Sequence, residues 1–240
     1  MAKRTRSGGR AGNARRDSTH AIEQMPWRIP VNTDRPTEPL DEDGVQAIHN
    51  GAMRILEEIG IEFLNPDACK ILKKAGCKVE GENVKMGRDF VMEMLAHAPE
   101  QFTITPRNKD RAIPVGGNHI LFGNVSSPPN YMDITTGKIS GNWEGFTNLM
   151  KLTQYFNCIH FAGGYPVEPI DVHASVRHLD CVSEKLFLTD KVVHAYSLGR
   201  ERVEDVMDMV QIAGGMTREE FDLSLIHISE PTRHMRISFS

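Results

Sequence analysis

The stretch Ala162-Gly163-Gly164-Tyr165-Pro166-Val167-Glu168-Pro169-Ile170-Asp171 gathers the residue types that could hold a small organic cation. Paired glycines let the backbone come close to a ligand. Tyr165 offers a π face and Glu168 a negative charge, which together suit a methylated, cationic substrate. The same residues also read as a tight turn, with Tyr165 covering a core and Glu168 solvated. Tyr196 and Ser197 close the next predicted strand and face the same mouth. His194 shares a face with Tyr196 by the two-residue period of a strand, and core packing is expected of it.

Other chemistries are poorly supported. Gly116-Gly117 and Gly163-Gly164 lack the G-x-G-x-x-G context, so no dinucleotide site is indicated. There is no P-loop and no G-x-S-x-G elbow. His173 and His178 are five apart on one predicted helix, hence on different faces, and make poor joint metal ligands. Cys69, Cys77, Cys158 and Cys181 form no C-x-x-C pair and no zinc-type spacing with a histidine. They read as buried, reduced thiols, and no bound metal is expected.

The elements that must position the mouth follow from periodicity and punctuation. Pro26, Pro30, Pro36 and Pro39 make an extended approach to a helix over 41–59, where Val45, Ile48, Ala52, Ile55, Leu56 and Ile59 recur at helical spacing before Gly60. A short strand over 61–64 precedes Asn65-Pro66, an N-cap and a proline at the first helical position, for a helix carrying Ile71 and Leu72 and ending at Gly76. Val79 and Val84–Met86 flank Gly81-Glu82-Asn83 as a hairpin, followed by a helix over 88–98 with Phe90, Val91 and Leu95 inward. Strands are expected over 102–105, 112–115 and 119–123. Residues 41–123 thus read as an α+β entry subdomain.

From 124 the rhythm changes. A hairpin over 131–139 turns near Thr136-Gly137. A helix over 143–156, a strand over 159–162, a helix over 172–187, a strand over 192–196 and a helix over 201–213 follow in turn. Strands alternating with helices of this length mean parallel β-α-β units. The fold class is α/β: an incomplete (β/α)8 TIM-type barrel preceded by a small α+β N-terminal subdomain. In such barrels the site is built at the carboxyl ends of the strands, where the Gly163–Asp171 loop falls. An open doubly wound sheet is the rival architecture.

Charge narrows the partners. The net charge is −4, and residues 1–16 hold six basic residues and no acid, so the remaining residues sum to −10. An acidic body disfavours nucleic acid, and the short basic start lacks interleaved aromatics. Residues 1–40 read as a disordered basic tail and a proline-rich lead-in. No apolar stretch approaches the roughly 20 residues that span a bilayer, so no membrane partner is expected and the reading is cytoplasmic.

Three segments resemble the trimethylamine methyltransferase family, the corrinoid-linked methylamine and quaternary-amine demethylases. They are Ile55-Leu56-Glu57-Glu58-Ile59-Gly60-Ile61-Glu62-Phe63, the run from Gly163 through Val172 with Arg177-His178-Leu179-Asp180, and Ser127-Pro128-Pro129 with Asp133 and Gly137. The Arg- and Gly-rich start is similar to the family's N-termini as well. The resemblance implies a β/α barrel holding a methylated amine above a partner corrinoid protein, whose Co(I) centre takes the methyl group. The cofactor is then carried by the partner and not bound directly by this chain. Some members carry pyrrolysine to position the amine, whereas others use quaternary amines such as betaines.

On that resemblance the substrate-binding residues are Glu168, Tyr165 and Tyr196, with Gly163 and Gly164 opening the mouth. The catalytic residue is expected in a later part of the barrel. The full-length protein is expected to be a homo-oligomer. An amine-binding or regulatory barrel without transfer activity is the alternative.

The barrel segment is taken as 124–222. Leu223–Arg233 (LSLIHISEPTR) is similar to the in-frame translation of a transposase-type sequencing adapter, so 223–240 read as a non-native tail. A barrel stopped near Asp222 is expected to be inactive by itself.

Overall fold

The computed structural model describes residues 22–221, so the basic start and the adapter-like tail lie outside the described residues. Two compact units emerge: residues 32–102 with 116–118 form the smaller, and residues 22–31, 103–115 and 119–221 form the larger. Residues 103–115 and 119–123, expected with the entry subdomain, cluster with the larger unit. Side-chain bonds explain the first of these. Arg107 donates to the carbonyls of Leu186 and Thr189, and Asn108 donates to Asp190 at 2.7 Å.

In the smaller unit, α1 (Glu42–Arg54) starts on Asp41, whose carboxylate accepts from the Gly44 amide at 2.8 Å. It runs into one wider turn of π type, Ile55–Ile59, and stops at Gly60 with φ 85°. The apolar positions Val45, Ile48, Ile55 and Ile59 are exposed, and Met53 is the buried residue of α1. Helix α2 (Pro66–Lys74) has the expected Asn65 cap, accepting from the amides of Asp67 and Ala68. β1 (Ile61–Glu62), β2 (Lys78–Glu80) and β3 (Asn83–Lys85) form an antiparallel sheet in the order β1-β3-β2, with Val84 fully buried. Helix α3 (Arg88–Leu95) is shorter than expected, and Leu95 is exposed rather than inward. β4 (Gln101–Ile104) and β5 (Ile113–Gly116) make a two-stranded ladder.

The larger unit carries the candidate mouth. No regular strand forms over 119–123; instead His119 bridges Val31, and Gly123 makes a single parallel bridge to Phe161. The hairpin β6 (Asn130–Asp133) and β7 (Gly137–Ser140) turns as expected. Asp133 accepts from the amides of Thr135 and Thr136 and from the Thr136 hydroxyl, which hold its carboxyl below the usual range. Asn142 caps α4 (Trp143–Tyr155), accepting from the Gly145 amide at 2.7 Å.

β8 (Phe161–Ala162) pairs in parallel with β9 (Val192–Val193) across α5 (Arg177–Leu188), and α6 (Arg200–Gly214) follows. Gly123, β8 and β9 therefore stand side by side in parallel, with helices in the connections. Among the described residues the sheet does not close into a barrel.

Helix α5 begins at Arg177, not at Val172. Side chains supply other partners to this stretch: Asp171 accepts from the Trp143 amide, His173 bonds Ser175, and Arg177 donates twice to the Val172 carbonyl. His173 thus precedes the helix that holds His178, so the two do not share one.

The core of the larger unit is Phe146, Met150, Ala162, Tyr165, Val167 and Cys181, flanked by Tyr131, Leu188, Val193 and Tyr196. All four cysteines are free. Cys77 and Cys181 are buried, but Cys158 is exposed, contrary to expectation, because it lies in the turn between α4 and β8. Burial pushes the Cys181 thiol up to about 12.

Candidate functional site

The carboxyl ends of β8 and β9 separate immediately past their paired residues. The His194 amide still donates to the Ala162 carbonyl at 2.9 Å. Beyond it the next carbonyls, those of Gly163 and His194, both accept from Lys185 Nζ, at 2.8 and 3.0 Å. Tyr196 then fills the gap. Its hydroxyl lies 2.6 Å from Ser127 Oγ and 3.2 Å from the Tyr165 amide, which donates to it. A Cβ on Gly164 would fall 1.7 Å from that hydroxyl, and one on Gly163 would meet the Asn124 carbonyl at 2.8 Å. Only glycine tolerates either approach.

The opposite wall is the irregular segment 124–128. The Gly163 amide donates to Asn124 Oδ1 at 2.8 Å, and the Gly164 amide to Ser126 Oγ at 3.0 Å. The Ser127 amide donates to the Tyr165 carbonyl at 2.6 Å, and the Glu168 amide to the Pro128 carbonyl at 3.0 Å. Ser127 has φ 50°, a conformation that costs a non-glycine residue energy and is held here by bonds on both sides. Every amide from Gly163 to Tyr165 is therefore satisfied by this wall or by Tyr196.

The five sequence-predicted residues come together, with roles that differ in detail. Gly163 and Gly164 form the close-packed turn. Tyr165 is buried in the core cluster, edge-on to Phe146 and to Tyr196, with Lys185 Nζ 5.2 Å from its ring centroid. Burial keeps its phenol protonated well above the ordinary range. Tyr196 is the half-buried ring between Tyr165 and the strand ends. Glu168 is a paired carboxylate, accepting from Arg177 at 2.6 Å, with both side chains partly exposed. His194 turns outward to an exposed position, so core packing is corrected; its ring meets that of Tyr196 edge-on at 5.8 Å. The cause is the end of the ladder at His194, past which the two-residue alternation no longer fixes the inward face.

Sequence reasoning missed Asn124, Ser126, Arg177 and Lys185. The first two sit on a wall without regular structure. Arg177 and Lys185 are charged residues on an amphipathic helix, where the default expectation is solvation. Lys185 is instead fully buried, and burial pushes its amine down to about 8.

At the amino ends of the strands a second arrangement locks the extended lead-in. His160 Nδ1 accepts from the Phe122 amide at 2.9 Å, which leaves Nε2–H to donate to the Arg28 carbonyl at 3.1 Å. Trp27 stacks edge-on against the imidazole, and burial lowers the pKa of His160. A cavity of about 340 Å³ opens there, lined by Ile22, Met25, Pro26, Phe122, Phe156 and Cys158 among others.

With this geometry in place, comparison with known proteins is decisive. The family model for trimethylamine methyltransferase (MTTB) matches residues 6–236. The chain belongs to this family. Among curated relatives it is 35% identical over 176 residues to a glycine betaine methyltransferase of Desulfitobacterium hafniense, covering 73% of this chain and 37% of the relative. It is 41% identical over 61 residues to a proline betaine:corrinoid methyltransferase of Eubacterium limosum, which is 25% of this chain and 13% of that protein. A trimethylamine methyltransferase of Methanosarcina thermophila matches at 26% over 183 residues, 73% of this chain and 38% of the relative. The chain thus spans less than two fifths of the length of these curated relatives. Among the described residues of this family member, no helix is long and apolar enough to cross a membrane.

Proposed function

We propose that this chain belongs to a methyltransferase that passes a methyl group from a methylated or quaternary amine, of trimethylamine or betaine type, to a corrinoid protein. The long match to a glycine betaine methyltransferase carries the reading. The names of the Eubacterium limosum relatives, one acting on proline betaine and one on L-carnitine, specify a corrinoid acceptor. The parallel arrangement of Gly123, β8 and β9 supports a (β/α)8 barrel whose site lies at this rim.

In this reading the amine sits at the rim against Tyr196, which covers the Gly163-Gly164 turn. Glu168 supplies negative charge, and Tyr196 supplies an aromatic wall that Tyr165 backs edge-on. Arg177 holds Glu168 in place and tempers its charge, so the rim attracts a cation without a bare carboxylate. The partner's reduced corrinoid supplies the electron pair that accepts the methyl group. This chain binds the amine and holds its C–N bond in line, and the C–N electron pair stays on nitrogen as the demethylated amine leaves. The residue that assists the chemistry directly is not assigned to this chain.

The test is Glu168→Gln in the full-length reading frame, with trimethylamine and glycine betaine as donors and a reduced corrinoid protein as acceptor. Removing the charge is expected to weaken amine affinity about ten-fold or more. Unchanged affinity and transfer would remove Glu168 from the site. Amine binding without methylation of any corrinoid protein would favour the alternative, an amine-binding or regulatory barrel.

A further inference from the structure

Parallel neighbours bond through every second residue of a strand, so after the Ala162 carbonyl the β8–β9 ladder would next use the His194 carbonyl. Here Lys185 Nζ takes that carbonyl, and with it the Gly163 carbonyl on the neighbouring strand. Those are the first carbonyls past the paired residues of two neighbouring strands. Past this level β8 and β9 no longer pair, the Gly163–Tyr165 amides donate to Asn124, Ser126 and Tyr196, and the Tyr196 hydroxyl occupies the space above Gly164. The side chain of Lys185 has no exposed surface, so it is not itself available to a ligand. Its second buried counterpart, Lys191, makes a different use of the same chemistry. It donates to the Thr153 and Phe156 carbonyls at the end of α4, at 2.6 and 2.7 Å, away from the rim.

We infer that Lys185 is a positioning residue for the amine site: by holding the Gly163 and His194 carbonyls it keeps the strand ends apart and seats the glycine turn and Tyr196 as the wall the substrate meets. The inference rests on the amine reading of the rim for its functional part, while the structural part stands separately.

The experiment compares the wild-type full-length reading frame with its Lys185→Met, Lys185→Arg and Lys191→Met variants, reading amide hydrogen exchange by segment and glycine betaine affinity by calorimetry. In Lys185→Met, exchange over 163–168 and 194–197 is expected to accelerate about ten-fold or more, with α4 unchanged, because a charge-assisted bond is lost at each carbonyl. Glycine betaine affinity is expected to fall by a similar factor. Lys185→Arg, which keeps charge and donors, recovers part of both, and Lys191→Met lowers stability without moving either.

Exchange at the turn that is unchanged in Lys185→Met, or equally faster in Lys191→Met, overturns the inference. Faster exchange at the turn in a chain whose wild type binds no amine upholds the staple and removes the amine reading. Should Lys185→Met not fold, Lys185→Gln takes its place. In the wild type the Gly163, Gly164 and Tyr165 amides must also exchange at least about ten-fold slower than their unstructured rates, and unprotected amides there overturn the inference.

Discussion

At the residue scale, Gly164 and Tyr196 are complementary halves of one contact. A methyl group on Gly164 cannot coexist with the Tyr196 hydroxyl, 1.7 Å from where it would sit. Gly164→Ala is expected to cost about 1–3 kcal/mol in urea unfolding. Combined with a Tyr196→Phe change it should cost less than the sum of the two, since both act on the same contact.

Lys185 has a pH signature whose sign follows from burial. Its folded-state value of about 8 lies below that of an unfolded lysine, so the unfolded chain holds more protons from pH 8 upward. The cost of burying its charge is fully present below pH 8 and is relieved as pH rises. Lys191, whose amine burial likewise pushes down to about 8, adds a rise of the same sign, so unfolding free energy should increase between pH 8 and 9 by on the order of 1 kcal/mol from each lysine, and Lys185→Met should lose only its own share. From about pH 8 upward Cys181 and Cys77 oppose the trend, joined nearer pH 10 by Tyr165, because burial raises all three and the unfolded chain alone releases their protons. A pH 8-to-9 change in stability that is the same in wild type and Lys185→Met contradicts the buried-cation account.

At the element scale, local signals in the sequence proved the most readable. Asn65 caps its helix through its own side chain as expected, and Thr136-Gly137 turns the hairpin. Each of these depends on neighbours within a few residues. What depended on distant partners was not readable. Helix α5 starts five residues late because Asp171, His173 and Arg177 bond elsewhere, and 119–123 is held by single bridges rather than a ladder.

The lead-in to the larger unit is the element with a pH switch of its own. His160 must be neutral at Nδ1 to accept from Phe122, and burial lowers its pKa. Its contribution to stability is present above the unfolded value near 6.5 and is lost as pH falls toward the folded one. Exchange over 22–30 and at Phe122, corrected for intrinsic rates, is expected to rise between pH 6.5 and 5 while α4 stays protected. Uniform protection across that range would remove His160 as the clasp.

At the scale of the whole molecule, the family could be recognised from the Gly163–Val172 run with three flanking segments, and the match over residues 6–236 bears it out. The enclosure of Tyr165 matches the alternative reading of that stretch as a turn covering a core, whereas the Arg177 partner of Glu168 and the lysine buried beneath the turn were not legible in the sequence. Both depend on packing between separate segments. The amine reading consequently rests on the match to the betaine methyltransferase, and the rim is its proposed place in the fold.

The most direct test of that reading follows the methyl group itself. The full-length reading frame is mixed with methyl-labelled glycine betaine or trimethylamine and a corrinoid protein reduced to Co(I). The account predicts label on cobalt, with one demethylated amine released for each methyl–cobalt bond formed. Amine that binds without losing its label, or that fails to bind at all, would contradict it.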